Sequence, residues 1–166
     1  STLHNTLFPY TTLFRSIFRW VRDLFHLYRT HPALWNDRPG SFTWIDLEDR
    51  EQSVVSYRRM NPDAASLPTS SEEETVVLSA DEPSLLFVFN FTPVPRRNYR
   101  IGVPRHGCYT ERLNSDAEIY GGGGIGNLGE VETTPVPYHG QPTSVVLNLP
   151  PLAVLVLEYG GERQEN

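Results

Sequence analysis

Residues 85–91, Leu-Leu-Phe-Val-Phe-Asn-Phe, decide the fold. Nearly every side chain in this run is apolar, which is the pattern of a β-strand covered on both faces. Outward from it, from residue 41 on, the chain repeats short β-branched and aromatic runs punctuated by Pro, Gly, Asn and Asp. Residues 42–47, 53–58, 75–79, 85–91, 99–102, 108–113, 130–134, 144–149 and 153–158 read as strands. Many short strands, with 14 prolines and 12 glycines in the chain, predict an all-β fold, an antiparallel β-sandwich. Residues 60–74, MNPDAASLPTSSEEE, are polar and Pro-containing and predict an exposed hairpin loop with a solvated acidic surface. No internal repeat of solenoid or propeller length is present.

One helix precedes the strands. Ile17, Val21, Leu24 and Tyr28 recur at helical spacing with Trp20 and Leu27 beside them, forming an apolar face. Pro32 ends the helix, because a proline pushes the residue before it toward extended geometry. A stripe this wide needs a partner surface, and the edge of a sandwich offers little of one.

Composition narrows the functional classes. At 166 residues the chain can bury one ordinary core. Its 14 basic and 20 acidic residues leave a formal charge of -6, and no basic run supplies the footprint that phosphate-backbone binding needs. Nucleic acid is therefore not an expected partner. Apolar runs such as 85–89 and 152–157 fall far short of the roughly 20 residues of a membrane-spanning helix, so no membrane is expected either. The single cysteine, Cys108, cannot close an internal disulfide; it reads as a small buried hydrophobe and fits a cytoplasmic setting.

The sole methionine, Met60, leaves the sequence without an initiator, so a fragment or processed product is expected. The first charged residue is Arg15, which leaves no secretory signal to read. Residues 7–16, LFPYTTLFRS, resemble translated sequencing-adapter sequence, so residues 1–16 are expected to be foreign to the fold.

Several apparent motifs fail on context. Residues 124–129 match G-x-G-x-x-G, but a dinucleotide site needs a helix to open there, and Glu130-Val131-Glu132-Thr133-Thr134-Pro135 is extended. A glycine loop between strands is the reading that remains. Asn90-Phe91-Thr92 is a formal glycosylation sequon followed by Pro93, and Asn90 reads as a structural residue at a strand end. The five histidines show no paired-ligand spacing, so no metal and no cofactor is expected. No serine sits in a nucleophile elbow. The carboxylates of Asp46, Glu48 and Asp49 are neighbours on one hairpin, whereas a glycosidase pair must face each other across the scissile bond. They read as turn and surface charges.

Three blocks carry a resemblance: NFTPVPRRNYRIGVP (90–104), LNSDAEIYGG (113–122) and NLPPLAVLVLE (148–158). In this order they resemble the C-terminal β-sandwich of the glycogen branching enzymes of the α-amylase superfamily, over about residues 17–159. The resemblance implies that residues 17–40 are the last helix and connector of a catalytic (β/α)8 barrel. Residues 41–160 would then be the sandwich and 161–166 a disordered tail. It implies two partners, the barrel itself and α-glucan. The implied chemistry is a retaining double displacement onto a 6-hydroxyl, by an aspartate and a glutamate on barrel strands. None of those motifs occurs here, so no catalytic residue is expected in this chain. Two departures stand out: the 60–74 loop is longer than the family leads one to expect, and Gly121-Gly122-Gly123-Gly124 replaces a mixture of glycine with serine or asparagine. Two other readings remain open, the sandwich of a debranching or trehalose-forming relative and a stand-alone protein-interaction module.

What the resemblance leaves to this chain is support and sugar contact, and glucans stack their CH faces on aromatic rings. Trp44 is the first candidate: strand alternation places Phe42 and Trp44 on one face, with Asp37 and Asp46 nearby. Trp35, on the connector, is expected mainly to pack it. Tyr109 and Tyr120, near the glycine loop, complete the set.

Overall fold

Alternation along each apolar run separates an inward from an outward face, and the computed structural model, describing residues 7–61 and 84–162 and side chains from Phe14 onward, shows where each face goes. Eight strands occur among the described residues: β1 (Phe42–Asp46), β2 (Val54–Met60), β3 (Ser84–Asn90), β4 (Arg96–Val103), β5 (Cys108–Asn114), β6 (Glu130–Glu132), β7 (Thr143–Leu149) and β8 (Ala153–Gly161). They form a six-stranded sheet in the order β1-β2-β3-β8-β5-β6 and a two-stranded sheet β4-β7, every pairing antiparallel. The expected strand at 75–79 and all of the expected 60–74 loop except Met60 and Asn61 lie outside the described residues.

The inward faces meet in the main core. Val54, Leu86, Val88, Leu155 and Leu157 of the large sheet pack with Tyr99, Ile101, Val103, Val145, Leu147 and Leu149 of the small one. Each such side chain, fully buried, contributes about 1.5–3 kcal/mol. Cys108 is buried at the start of β5, as expected.

A helix, α1 (Leu7–Thr30), covers part of the outward face of the large sheet. It runs unbroken through residue 16, where the sequence reading placed a boundary. Leu27, only 7% exposed, packs on Leu85, Leu113 and Val156, with Trp20 beside it. The stripe expected to be its main face, Ile17, Val21, Leu24 and Tyr28, is exposed, as are Phe14, Phe18 and Phe25. The helix thus docks through the flank of its apolar face, because the sheet offers only a narrow strip around Leu85. The broad stripe meets no described residue that buries it.

The same geometry corrects the reading of residues 85–91. Leu85 and Leu86 are covered on opposite faces, but Phe87 and Phe89 are half-buried and Phe91 is 61% exposed. The helix crosses only the first part of β3, so the second part has one bare face.

Pro32 ends α1 as expected. His31 is extended (φ -113°, ψ 103°) and a short 3₁₀ turn, Pro32–Leu34, follows. Arg59 of β2 anchors this connector by donating to the carbonyls of Ala33 (2.9 Å), Leu34 (3.3 Å) and Asn36 (2.6 Å). Glu158 of β8 is buried and pairs with Arg112, with His31 Nδ1 3.6 Å away. Among the described residues no helix is long and apolar enough to cross a membrane.

Candidate functional site

The bare outward face of the large sheet carries a row of aromatic rings. Antiparallel register sets Trp44 opposite Tyr57 and Tyr57 opposite Phe87, while Phe42, Phe89 and Phe91 follow at two-residue steps on the same face. Tyr57 stacks on Phe87 (4.8 Å between centroids, 14° between planes) and lies 5.8 Å from Phe89, which stacks on Phe91 (5.7 Å, 7°). Trp44 is set across this stack, nearly perpendicular to Phe42 (4.8 Å, 88°) and Tyr57 (5.7 Å, 86°). Its indole stays 51% exposed. Half-exposed rings braced by their neighbours give an apolar surface in water, suited to CH faces or to another apolar surface.

Asp46 does not join the rim of this row. A β-bulge between Trp44 and Asp46 shifts the register so that Asp46 pairs with Ser56, a buried inward position, instead of continuing the outward alternation. Its Oδ1 accepts from the Glu48 amide (2.9 Å) and its Oδ2 lies 3.4 Å from His139 Nε2.

The other candidates separate. Trp35 follows the 3₁₀ turn and is 56% exposed, so among the described residues it packs little of the connector, contrary to expectation. Tyr109 is 2% exposed inside the main core, 5.4 Å from Tyr159, and its burial pushes the phenol above its ordinary range. A ring enclosed on all sides has no face for a sugar, and that expectation fails. Tyr120 fastens the helix instead. Its ring meets Trp20 edge-on (5.0 Å, 77°) and its hydroxyl donates to Asp23 Oδ2 (2.9 Å). Burial and the Asp23 carboxylate push the Tyr120 phenol up to about 12. Burial raises the Asp23 carboxyl, but the hydrogen bonds from Tyr120 and Arg22 and the charges of Arg22 and Arg19 outweigh it and leave the group below 3.8.

The glycine motif opens onto β6, not onto a helix. Asp116 holds the loop, accepting from the amides of Gly123 (2.8 Å) and Ile125 (3.1 Å), and a Cβ on Gly122 would sit 2.2 Å from the Asp116 carbonyl oxygen. Asn90 is 2% exposed, donates to the carbonyls of Val94 and Pro150 (2.9 Å each) and accepts from the Thr92 amide (3.0 Å) and hydroxyl (2.8 Å). It is a strand-end brace, closed to a glycan. The 46–49 carboxylates serve their turn, Asp49 accepting from the Gln52 amide (3.0 Å) and the Tyr99 hydroxyl (2.7 Å). Among the described residues no group of three or more His, Cys, Asp or Glu could hold a metal ion.

Sequence reasoning found Phe42 and Trp44 but missed Tyr57, Phe87, Phe89 and Phe91. The two-residue spacing of 87, 89 and 91 was a visible signal. What hid it was the assumption that the whole strand is buried.

Comparison with known proteins agrees with this architecture. The family model described as alpha amylase, C-terminal all-beta domain, matches residues 44–160. The chain is 47% identical over 146 residues to the 1,4-alpha-glucan branching enzyme GlgB of Salinibacter ruber, covering 88% of this chain and 20% of that protein. It is 48% identical over 141 residues to the GlgB of Aromatoleum aromaticum (83% and 19%) and 43% identical over 141 residues to that of Mycobacterium tuberculosis (84% and 17%). The chain spans a fifth or less of the length of these relatives.

Proposed function

Because this chain belongs to the family of α-amylase C-terminal all-β domains, we propose that it is the C-terminal part of a cytoplasmic 1,4-α-glucan branching enzyme of glycogen synthesis. In this reading α1 from residue 17, with the connector to residue 40, belongs to a catalytic barrel whose body covers the Ile17, Val21, Leu24 and Tyr28 stripe. Residues 41–161 brace that barrel, β8 running one residue past the expected boundary at 160, and residues 1–16 are foreign to that enzyme. Covalent glucan transfer is carried out by barrel carboxylates and by no residue of this chain, so the sandwich contributes binding and support.

The observation that carries the binding part is the half-exposed Trp44 indole, braced by Phe42 and Tyr57 at the end of an aromatic row. It offers an apolar platform for the CH face of a glucosyl unit, and a long polymer needs several such weak contacts. Trp44→Ala in the whole enzyme should weaken amylopectin binding by roughly 0.5–1.5 kcal/mol, seen as a higher KM or altered chain lengths at unchanged kcat. If Trp44→Ala lowers stability while KM and chain lengths stay at wild-type values, the row packs protein and does not meet sugar. The chain alone should leave iodine-stained amylose unchanged.

A further inference from the structure

A concave surface lies past the C-terminal end of β1, on the side away from the aromatic row. It is a cleft of about 640 Å³ lined by residues of the β1–β2 turn, of β4 and of the 138–141 hairpin. Pockets for small ligands fall in this size range. Three backbone irregularities converge on it. The β1 bulge turns Asp46 toward it, and a second bulge between Arg96 and Tyr99 of β4, with Asn98 at φ 55°, brings Arg97 and Asn98 to its wall. The third is a tight turn at His139 and Gly140, both at positive φ, closed by reciprocal Tyr138 and Gln141 backbone bonds (3.0 and 2.8 Å). Gly102 lets this hairpin lie against β4, since a Cβ there would sit 1.9 Å from the Tyr138 carbonyl oxygen.

The chemistry of the lining is mixed. Acceptors (Asp46, Glu48, Asp49) stand among donors (Arg97, Arg100) and the amides of Gln52 and Asn98, which do both, and the exposed Tyr138 ring lies against His139 (4.2 Å between centroids). Opposite charges interleaved at this spacing give no single-sign field to hold an anion. No group of three or more His, Cys, Asp or Glu able to hold a cation is present among the described residues. Asp46 and Asp49 are each held by a backbone amide on one oxygen and by His139 or the Tyr99 hydroxyl on the other, so both carboxylates are fixed in place before a ligand arrives. Interleaved donors and acceptors beside one ring are what a neutral polyhydroxyl ligand requires.

The geometry points to this cleft as a second glucan subsite, taking a short α-1,4-linked oligosaccharide independently of Trp44. The choice of α-glucan rests on the branching-enzyme reading; the polyhydroxyl character rests on the lining. The test is a titration of the ¹⁵N-labelled full chain with maltoheptaose, read by amide chemical shifts. Residues 46–52, 97–100 and 138–139 should shift together, in Trp44→Ala as in wild type. Tyr138→Ala and Glu48→Gln should each raise the Kd read from that set, Tyr138→Ala by about tenfold. Shifts confined to the Trp44 row, and lost in Trp44→Ala, would overturn the cleft and leave the proposed function standing. Shifts at the cleft alone would sustain it and remove Trp44 from the glucan surface. No shift at either place would overturn the cleft and the Trp44 platform alike, and leave the bracing role of the sandwich standing.

Discussion

Leu24 and Leu27 offer a controlled perturbation: the same side chain on the same helix, one residue on each of two competing faces. Leu27 is 7% exposed and wedged among Leu85, Leu113 and Val156, whereas Leu24 is 36% exposed on the stripe that no described residue buries. Leu27→Ala loses the transfer energy of the removed carbons and leaves a cavity that the sheet beneath cannot close. A cost of about 3 kcal/mol is expected. Leu24→Ala leaves no such cavity and should cost less than about 1 kcal/mol. For a domain of this size the difference corresponds to roughly 4–8 °C in Tm. Urea unfolding of the two variants, compared at constant m so that the midpoint alone reports stability, is the assay. If Leu24→Ala is as destabilising as Leu27→Ala in the isolated chain, the helix docks by its broad stripe and the assignment of faces is wrong. Under the proposed function the contrast should shrink in the full-length protein, because that reading has a barrel bury Leu24 as well.

Asn90→Ala should cost about 3 kcal/mol by urea unfolding, since it strands the buried Pro150 carbonyl and removes three further hydrogen bonds; a cost under about 1 kcal/mol would show that water replaces the side chain. The Asp23–Tyr120 bond should give α1 docking a two-sided pH dependence. The Asp23 pKa is lowered on folding, so its contribution is present above 3.8 and lost as pH falls below that value. The Tyr120 pKa is raised, so its contribution is present below 10 and lost as pH rises toward about 12. Near-ultraviolet circular dichroism of Trp20 should follow both limbs, and Tyr120→Phe should flatten them; unchanged limbs in that variant would place the titration elsewhere. Gly102→Ala should displace the 138–141 hairpin and lower Tm, with amide shift changes centred on Tyr138; an unperturbed hairpin would show that β4 yields instead.

Strand existence was legible along almost the whole described chain because it is written locally. Runs such as 85–91 and 153–158 alternate or saturate with apolar side chains, and Pro, Gly, Asn and Asp mark their ends. The stop at Pro32 was equally local, a steric fact about one residue and its neighbour. So was the failure of the 124–129 glycine motif, decided by the extended residues that follow it.

Partnership was not legible, because it depends on register and on what covers each face. Sequence alone determined that α1 has a wide apolar face; only the tertiary structure decided that the flank at Trp20 and Leu27 touches the sheet while the broad stripe does not. Residues 85–91 looked uniformly buried, yet the helix crosses only one end of β3 and leaves a row of rings on the other. Tyr109 and Trp44 are both aromatic residues on strands. Inward alternation under a second sheet encloses Tyr109, and outward alternation beyond the reach of α1 exposes Trp44. Asp46 shows the sharpest limit, since its direction is set by one extra residue in β1. A one-residue change of register reverses every side chain that follows, and no local pattern encodes it.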